Sequence, residues 1–228
     1  MADRAVGVGV SAVADTASLT GHQDQNPSDT RANLSVARVP GTYEHYVKPV
    51  VDRVGGFILT LLILPIVAVV VVAIRASMGG PALFTQQRVG KHGQPFTVYK
   101  FRTMLPDSRT IQAAYSGPDR RRVHKSHNDP RVTPLGDFLR KWSIDEIPQF
   151  WNVALGQMSL VGPRPELVEI VETKYEDWQH RRHVVKPGVT GIWQISDQRQ
   201  GLMFEATAVD LEYLDQVSLA TDLKILLL

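Results

Sequence analysis

Two adjacent carboxylates, Asp145 and Glu146, stand in the stretch SIDEIPQFWN. Neighbouring acids repel each other, so water or a nearby positive charge must offset them. Ser143 and Glu146 have the S-x-x-E spacing of a capping box, whereas Pro148 favours a later helix start because proline fits a first turn. Both starts place the acids at a helix N-terminus, which stabilises carboxylates and also attracts phosphate. On spacing alone, helix capping is the simpler interpretation.

Several cations occur in blocks that could present them to phosphate. Arg164 lies between two prolines in VGPRP, so a stiff backbone presents a guanidinium suited to gripping phosphate with parallel hydrogen bonds. Alternation in YKFRTM places Lys100 and Arg102 on one face of a predicted strand. The alternative for each cation is an ordinary solvated surface residue. Together with the glycine turns of HRRHVVKPGVTG, these blocks predict a phosphorylated substrate.

A pair of carboxylates facing a pyrophosphate needs a metal ion, because carboxylates and phosphates repel each other. Mg²⁺ binds one or two carboxylates together with substrate phosphate oxygens and offsets that repulsion. One carboxylate could then attack phosphorus as a nucleophile while the other holds the metal. We therefore predict Mg²⁺ as the cofactor.

Composition excludes several classes of site. The chain has 228 residues, 43% of them hydrophobic, and a formal charge of +2, which is enough for one sizeable core and gives no overall signal for nucleic acid. It has no cysteine, which excludes disulfides, thiolate zinc sites and cysteine nucleophiles and fits a reducing compartment. The basic run RRRVHKSH lacks interleaved aromatic residues, so we predict no binding of nucleic acid.

The elements that must position these residues begin with an apolar segment, residues 54–74, which is uncharged and long enough to cross a bilayer. It either spans the membrane or enters one leaflet and returns, with a break at Pro65, since an internal proline removes a backbone hydrogen bond. A buried core helix is the third interpretation. The predicted organisation is a disordered tail over 1–42, a membrane-inserted helix over 43–76 and a domain outside the membrane over 77–228, and the flanking charges leave the orientation open.

The domain is predicted to be α/β, mostly helical with one small β-hairpin. The hairpin joins ALFTQQRVG and PFTVYKFRT around a turn at Gly93. A polar loop is predicted over 105–134, and a glycine-punctuated turn with a short strand over 187–196. Helices are predicted over 134–142, 147–156 (ending at Gly156), 165–185 (with Pro165 in its first turn), 203–217 and 219–228.

The order of these blocks resembles the bacterial sugar transferases, the monotopic polyprenyl-phosphate hexose-1-phosphate transferases. The resemblance runs from about Tyr46 to Leu228 and is carried by FTVYKFRTM, TPLGDFLRKWSIDEIPQFWNVALGQMSLVGPRP and RHVVKPGVTGIWQIS. It implies transfer of a sugar 1-phosphate from a UDP-sugar to undecaprenyl phosphate, giving undecaprenyl diphosphate sugar and UMP. The first membrane step of polysaccharide or glycoconjugate synthesis is of this kind.

The resemblance also assigns roles to residues. It implies that Asp145 is the nucleophile that takes the phospho-sugar and that Glu146 binds Mg²⁺. It implies a re-entrant helix broken at Pro65, although Leu64 replaces the serine of the family's Ser-Pro pair. The phosphate ligands and neighbours of the site that it implies are Arg164, Arg102, Arg140, Lys100 and Asp210.

The resemblance further implies a location on the cytoplasmic face of the inner or plasma membrane. The expected partners are membrane lipid, downstream glycosyltransferases and a second copy of the chain in a homodimer. The chain ends at DLKILLL, slightly earlier than typical members, so a clipped terminal helix is expected. Two other functions stay open at this point: a non-enzymatic membrane scaffold and a metal-dependent hydrolase. Neither the transferred sugar nor the polymer follows from the residues.

Overall fold

The computed structural model describes residues 39–105, 131–197 and 202–228. Nearly all of the predicted tail, most of the polar loop predicted over 105–134 and the run RRRVHKSH lie outside these ranges. Within them the chain is mostly helical and carries two small two-stranded sheets. The predicted class is confirmed in this coarse form. The second sheet was not predicted as a sheet, because only one of its two strands, the one within 187–196, was expected.

The elements are numbered along the chain. The strands of the described residues are β1 (Leu83–Val89), β2 (Pro95–Phe101), β3 (Ser159–Val161) and β4 (Gly188–Thr190). The α-helices are α1 (Lys48–Met78), α2 (Pro134–Lys141), α3 (Gln149–Ala154), α4 (Val168–Lys174), α5 (Ile192–Ile195), α6 (Thr207–Asp215) and α7 (Leu219–Leu227). A π-helical turn, Tyr43–Val47, precedes α1. Three 3₁₀ segments join other elements: Lys91–Gly93, Ile144–Glu146 and Asp177–Val184.

Helix α1 contains the apolar segment. Together with its preceding turn it forms a helix, Tyr43–Met78, that is long and apolar enough to cross a membrane and is compatible with membrane association. Pro65 lies inside this helix, and the helical structure continues on both sides of it. Pro65 therefore does not interrupt the helix as predicted, and the re-entrant path stays a prediction.

Both ends of α1 pack on the domain. Near its start, Gly56 lies so close to α3 that an added Cβ would be 2.8 Å from the Ala154 nitrogen, which explains why the helix has no side chain there. Near its end, Ile74 and Met78 join Phe101 and other residues in a buried cluster. The large side chains between these ends are mostly exposed.

Strands β1 and β2 form the predicted antiparallel hairpin, with Leu83 opposite Phe101 and Val89 opposite Pro95. The turn between them, Lys91–Gly93, contains the predicted Gly93 at a positive φ of 71°. Phe101 and Val98 are buried on this hairpin and reach two different core clusters. The hairpin thus ties the end of α1 to the middle of the domain.

The prediction of one long helix over 165–185 is wrong. Helix α4 starts only at Val168 and ends at Lys174, after which Tyr175 and Glu176 are extended and a 3₁₀ segment begins. The Glu176 side chain caps that segment, and the Glu176 N–H donates a hydrogen bond to Gln179 Oε1 (2.8 Å). This reciprocal cap stabilises a new helix start where periodicity alone predicted continuity.

The other predicted elements of the second half are largely confirmed. Helices α6 and α7 lie within 203–217 and 219–228, and the predicted strand within 187–196 is β4, which pairs in parallel with β3. Helix α5 lies in the second part of 187–196, where only a turn and a strand were predicted. Helix α7 then returns to the start of α1, where Lys48 Nζ lies 2.5 Å from Asp222 Oδ2 in a buried ion pair.

Candidate active site

A short 3₁₀ segment between α2 and α3 carries the two adjacent carboxylates. Ser143 precedes it with a positive φ of 55° and no capping hydrogen bond from its side chain, so the predicted capping box is wrong. The later start predicted from Pro148 is confirmed, since Pro148 directly precedes α3. The left-handed backbone of Ser143, uncommon for a residue other than glycine, turns the chain out of α2 and presents the acids.

Apolar residues fix this segment to the core. Ile144 and Ile147 flank the two acids, and both pack against the buried cluster that contains the end of α1. Helix α3 beyond them ends at Ala154, two residues before the predicted Gly156, which has a positive φ of 74°. The acids are therefore held on a short turn with apolar anchors on both sides.

Glu146 is held by two cations from distant parts of the chain. Arg164 donates to both carboxylate oxygens, with Nη1 3.1 Å from Oε2 and Nη2 bound to Oε1. Lys100, from β2, donates from Nζ to Oε1 at 2.8 Å. Burial alone raises the pKa of Glu146, but the charges and hydrogen bonds of Arg164 and Lys100 outweigh it and hold that pKa well below its usual range.

Asp145 differs from its neighbour. No described residue donates a hydrogen bond to its carboxylate. Burial raises the pKa of Asp145, Lys100 lowers it, the charge of Glu146 raises it again, and the net shift is upward. A carboxylate that is partly desolvated and lacks bound donors keeps its lone pairs available, which suits a nucleophile.

Two further cations act on Asp145 through their charge. Arg140, on α2, lowers the pKa of Asp145, as does Arg164. Arg140 is anchored by its Nε, which donates to Thr103 Oγ1 at 2.9 Å. The structure therefore brings four of the predicted site residues into one electrostatic environment around Asp145: Glu146, Lys100, Arg140 and Arg164.

Arg164 is supported by residues that sequence reasoning did not assign to the site. Its guanidinium carbon lies 6.0 Å from the centre of the buried Trp193 ring, a cation–π geometry. Its backbone carbonyl accepts a hydrogen bond from Arg182 Nη2 at 2.6 Å. Arg88 Nη1 donates to the adjacent carbonyl of Pro165 at 3.1 Å. In the sequence, these residues are distinguished only by their position in the segments ALFTQQRVG and RHVVKPGVTGIWQIS.

Arg102 and Asp210 lie in other contacts. Strand β2 ends at Phe101, and beyond it Arg102 is buried and donates to the Gly79 carbonyl at the end of α1. Asp210 is buried with Arg182, whose Nη2 lies 2.6 Å from Asp210 Oδ2. The structure therefore does not bring these two side chains to Glu146, and their proposed contact with substrate stays a prediction.

The model of the family described as bacterial sugar transferase matches residues 43–228. The chain belongs to the bacterial sugar transferase family. The match includes the two carboxylates and every cation described around them.

Named relatives agree with this membership. This sugar transferase is 43% identical over 189 residues to the galactosyl transferase CpsE of Streptococcus agalactiae, covering 82% of this chain and 42% of CpsE. It is 38% identical over 186 residues to the UDP-glucose:undecaprenyl-phosphate glucose-1-phosphate transferase of Escherichia coli, covering 78% and 38%. It is 39% identical over 182 residues to the uncharacterized sugar transferase EpsL of Bacillus subtilis, covering 80% and 84%. The chain thus spans about two fifths of the first two relatives and most of the third.

Of the two carboxylates of this sugar transferase, Asp145 leaves more oxygen positions open to Mg²⁺ than Glu146 does, and the Mg²⁺ site stays a prediction. The described residues contain no cluster of three or more His, Asp or Glu that could hold a metal alone. Mg²⁺ usually takes only one or two carboxylates and completes its shell with substrate phosphate oxygens and water. Glu146 uses three of about four lone-pair positions for Arg164 and Lys100, and Asp145 uses none for the described residues.

Proposed function

We propose that this chain transfers a sugar 1-phosphate from a UDP-sugar to undecaprenyl phosphate, giving undecaprenyl diphosphate sugar and UMP. The reaction would be the first membrane step in the synthesis of a polysaccharide or glycoconjugate. Family membership and the activities for which relatives are named support the reaction class. The observation that carries the proposal is the contrast between Asp145, free of donors from the described residues, and the adjacent Glu146, which binds two cations.

The first step uses Asp145 as the nucleophile. A carboxylate oxygen of Asp145 attacks the phosphorus nearest the sugar, a new oxygen–phosphorus bond forms, and the bond from that phosphorus to UMP breaks. The raised pKa of Asp145 goes with a more basic, and so more nucleophilic, carboxylate. UMP takes the electron pair of the broken bond and leaves.

The second step returns the enzyme to its starting state. A phosphate oxygen of undecaprenyl phosphate attacks the phosphorus held on Asp145, and the aspartyl oxygen leaves as a carboxylate. No net proton transfer is required, because in each step an anionic nucleophile displaces an anionic leaving group. This order predicts ping-pong kinetics.

The surrounding cations hold and neutralise the phosphates. Arg164 and Lys100 keep Glu146 ionised and keep their own positive charge beside the place where the pyrophosphate must lie. Arg140 adds a third charge near Asp145. Glu146 would hold Mg²⁺ through its remaining oxygen position, and the ion would supply further neutralisation of the pyrophosphate and the leaving group.

We further propose that α1 enters the membrane and returns to the cytoplasmic face. Its start, at Asp52 and Gly56, and its end, at Ile74 and Met78, are buried against the same domain. Asp52 Oδ1 also accepts a hydrogen bond from the Leu160 N–H at 3.0 Å. Contact of both ends of α1 with one domain supports a path in which both ends lie on one side of the bilayer.

The test of function is release of UMP by the purified protein from a panel of UDP-sugars with Mg²⁺ and undecaprenyl phosphate. A donor labelled at the phosphorus nearest the sugar should leave that label on the protein when the lipid is omitted, and added undecaprenyl phosphate should remove it. Asp145→Asn should abolish both labelling and UMP release, and the exposed Asp137→Asn should change neither. Release of free sugar 1-phosphate in place of a lipid product would identify a hydrolase, and no UMP release from any donor would favour a scaffold.

A further inference from the structure

Arg182 is one of the most deeply buried charged residues of the described chain. Its side chain and that of Asp210 are each only 1% exposed, and Arg182 Nη2 lies 2.6 Å from Asp210 Oδ2. Arg182 Nη1 also binds the hydroxyl of Tyr175. Burial alone lowers the pKa of Arg182, but Asp210 and Tyr175 more than offset this, so it stays charged. Such a buried charge is costly, which calls for an account of what it holds in place.

The group that Arg182 holds is the backbone of Arg164. Nη2 of Arg182 donates to the Arg164 carbonyl at 2.6 Å. Pro163 and Pro165 restrict the backbone on both sides of Arg164, and the residue before a proline is confined to extended conformations. The remaining freedom is the orientation of the peptide plane at Arg164, which the bond from Arg182 fixes. That orientation sets the direction in which the Arg164 side chain leaves the backbone.

We infer that Arg182, held by Asp210 and Tyr175, is a positioning residue that aims the Arg164 guanidinium at Glu146 and at the phosphates of the substrate. The inference deepens the proposed function and rests on it for the substrate part. It also gives Asp210 a role different from the one predicted from sequence: Asp210 acts through Arg182 instead of touching the substrate.

The decisive variant is Arg182→Lys. A lysine keeps the positive charge beside Asp210, so no carboxylate is left uncompensated in the core. It lacks the planar fork that lets one guanidinium bind Tyr175, Asp210 and the Arg164 carbonyl together. The matched control is Arg181→Lys on the same 3₁₀ segment, because Arg181 is exposed.

The first measurement does not depend on activity. The rate at which phenylglyoxal modifies each arginine is followed by mass spectrometry of the full chain in detergent. Arg182→Lys should speed modification of Arg164 and leave the buried Arg102 unchanged, and the Arg181→Lys control should change neither. An unchanged rate at Arg164 overturns the inference. A parallel rise at Arg102 also overturns it, because it indicates general loosening.

The second measurement is a double-mutant cycle on kcat/KM for UMP release. Arg182→Lys should lower kcat/KM by about 10- to 100-fold, the range expected when a contact group shifts by up to 1 Å. In an Arg164→Ala background it should cause no further loss, because its effect passes through Arg164. Full multiplication of the two losses overturns the inference. If the wild type releases no UMP, the proposed function fails, and the phenylglyoxal rates still decide whether Arg182 positions Arg164.

Discussion

Arg164 and Glu146 form a two-point contact in which Nη1 donates to Oε2 and Nη2 donates to Oε1. Because this contact lowers the pKa of Glu146, the unfolded chain takes up a proton at this residue before the folded chain does. The stabilisation is fully present above the ordinary glutamate pKa of about 4.3 and is lost as pH falls toward the lower folded value.

Glu146→Gln should therefore lower the free energy of unfolding at pH 7 by roughly 2 kcal/mol, a typical value for hydrogen bonds to charged groups. The variant should also lose less stability than the wild type on acidification below about pH 5. Urea unfolding in detergent from pH 7 to pH 3 measures both effects. Glu172→Gln, at an exposed position, is the control. If the wild type and Glu146→Gln lose the same stability on acidification, the stabilising role of the ionised Glu146 is contradicted.

For Asp145, the effect of pH on stability has the opposite sign to that for Glu146. Because burial raises its pKa, its ionised form costs folding free energy at neutral pH, and the cost is relieved as pH falls through the folded pKa. Asp145→Asn should therefore raise Tm at pH 7, by about 2–4 °C for each kcal/mol relieved, while it abolishes activity. The gain should shrink at acid pH. Asp137→Asn serves as the exposed control, and a lower Tm for Asp145→Asn would show that the carboxylate stabilises the fold.

The buried pair Lys48–Asp222 joins the start of α1 to the last helix. Asp222 also accepts hydrogen bonds from the hydroxyls of Tyr43 (2.8 Å) and Tyr213 (2.7 Å). Lys48→Met leaves Asp222 buried without its cation and should cost about 3–5 kcal/mol. The double change Lys48→Met with Asp222→Leu should recover part of that loss, since Asp222 is then no longer a buried charge. The recovery should be incomplete, because the buried Asp52, 3.8 Å from Lys48 Nζ, also loses its cation. Thermal unfolding measures all three proteins, and the exposed Lys224→Met is the control for the charge change.

Gly56 allows α1 to approach α3 closely. An added Cβ would lie 2.8 Å from both the Ala154 nitrogen and Val153 Cγ1, closer than real Cβ contacts allow. Gly56→Ala should therefore push the helices apart and cost about 1–3 kcal/mol, even though alanine favours helix. Gly41→Ala is the control, because nothing lies within 4 Å of a Cβ there. A gain in stability for Gly56→Ala would mean that the two helices can separate freely.

The proposed membrane path predicts labelling from one side only. The chain has no cysteine, so Thr42→Cys and Ser77→Cys each introduce a single thiol, one near each end of α1, at exposed positions. In intact cells neither should react with a membrane-impermeant maleimide, and both should react in inside-out vesicles. Reaction of one thiol from outside and the other from inside would establish a spanning helix.

Local patterns predicted most of the regular elements because these depend on nearby residues. The turn glycine at Gly93 marks the hairpin, and Gly156 marks the end of α3. The strand β3 is only three residues long, so local periodicity did not predict it, and its pairing with the predicted β4 joins segments that are far apart in the sequence. The break after Lys174 depends on a reciprocal cap between Glu176 and Gln179, which interrupts an otherwise helical pattern.

The site was predictable in its residue types and not in its pairings. Asp145, Glu146 and Arg164 follow from motifs, but the contact of Glu146 with Lys100 joins residues 46 positions apart. Arg181 and Arg182 are adjacent and identical in type, yet one is exposed and the other is buried. Only the fold distinguishes them, because the partner of Arg182 comes from α6.

The exposed part of α1 between the buried Gly56 and Val70 has a consequence for the lipid environment. Residues 57–69 form about 20 Å of helix, at about 1.5 Å per residue, whereas the hydrocarbon core of a bilayer is about 30 Å thick. A segment that enters one leaflet and returns has no second interface whose distance it must match. Hydrophobic mismatch, which sorts spanning helices among membranes, then does not act on it. The proposed re-entrant protein would therefore tolerate bilayers of different thickness without tilting or deforming its anchor.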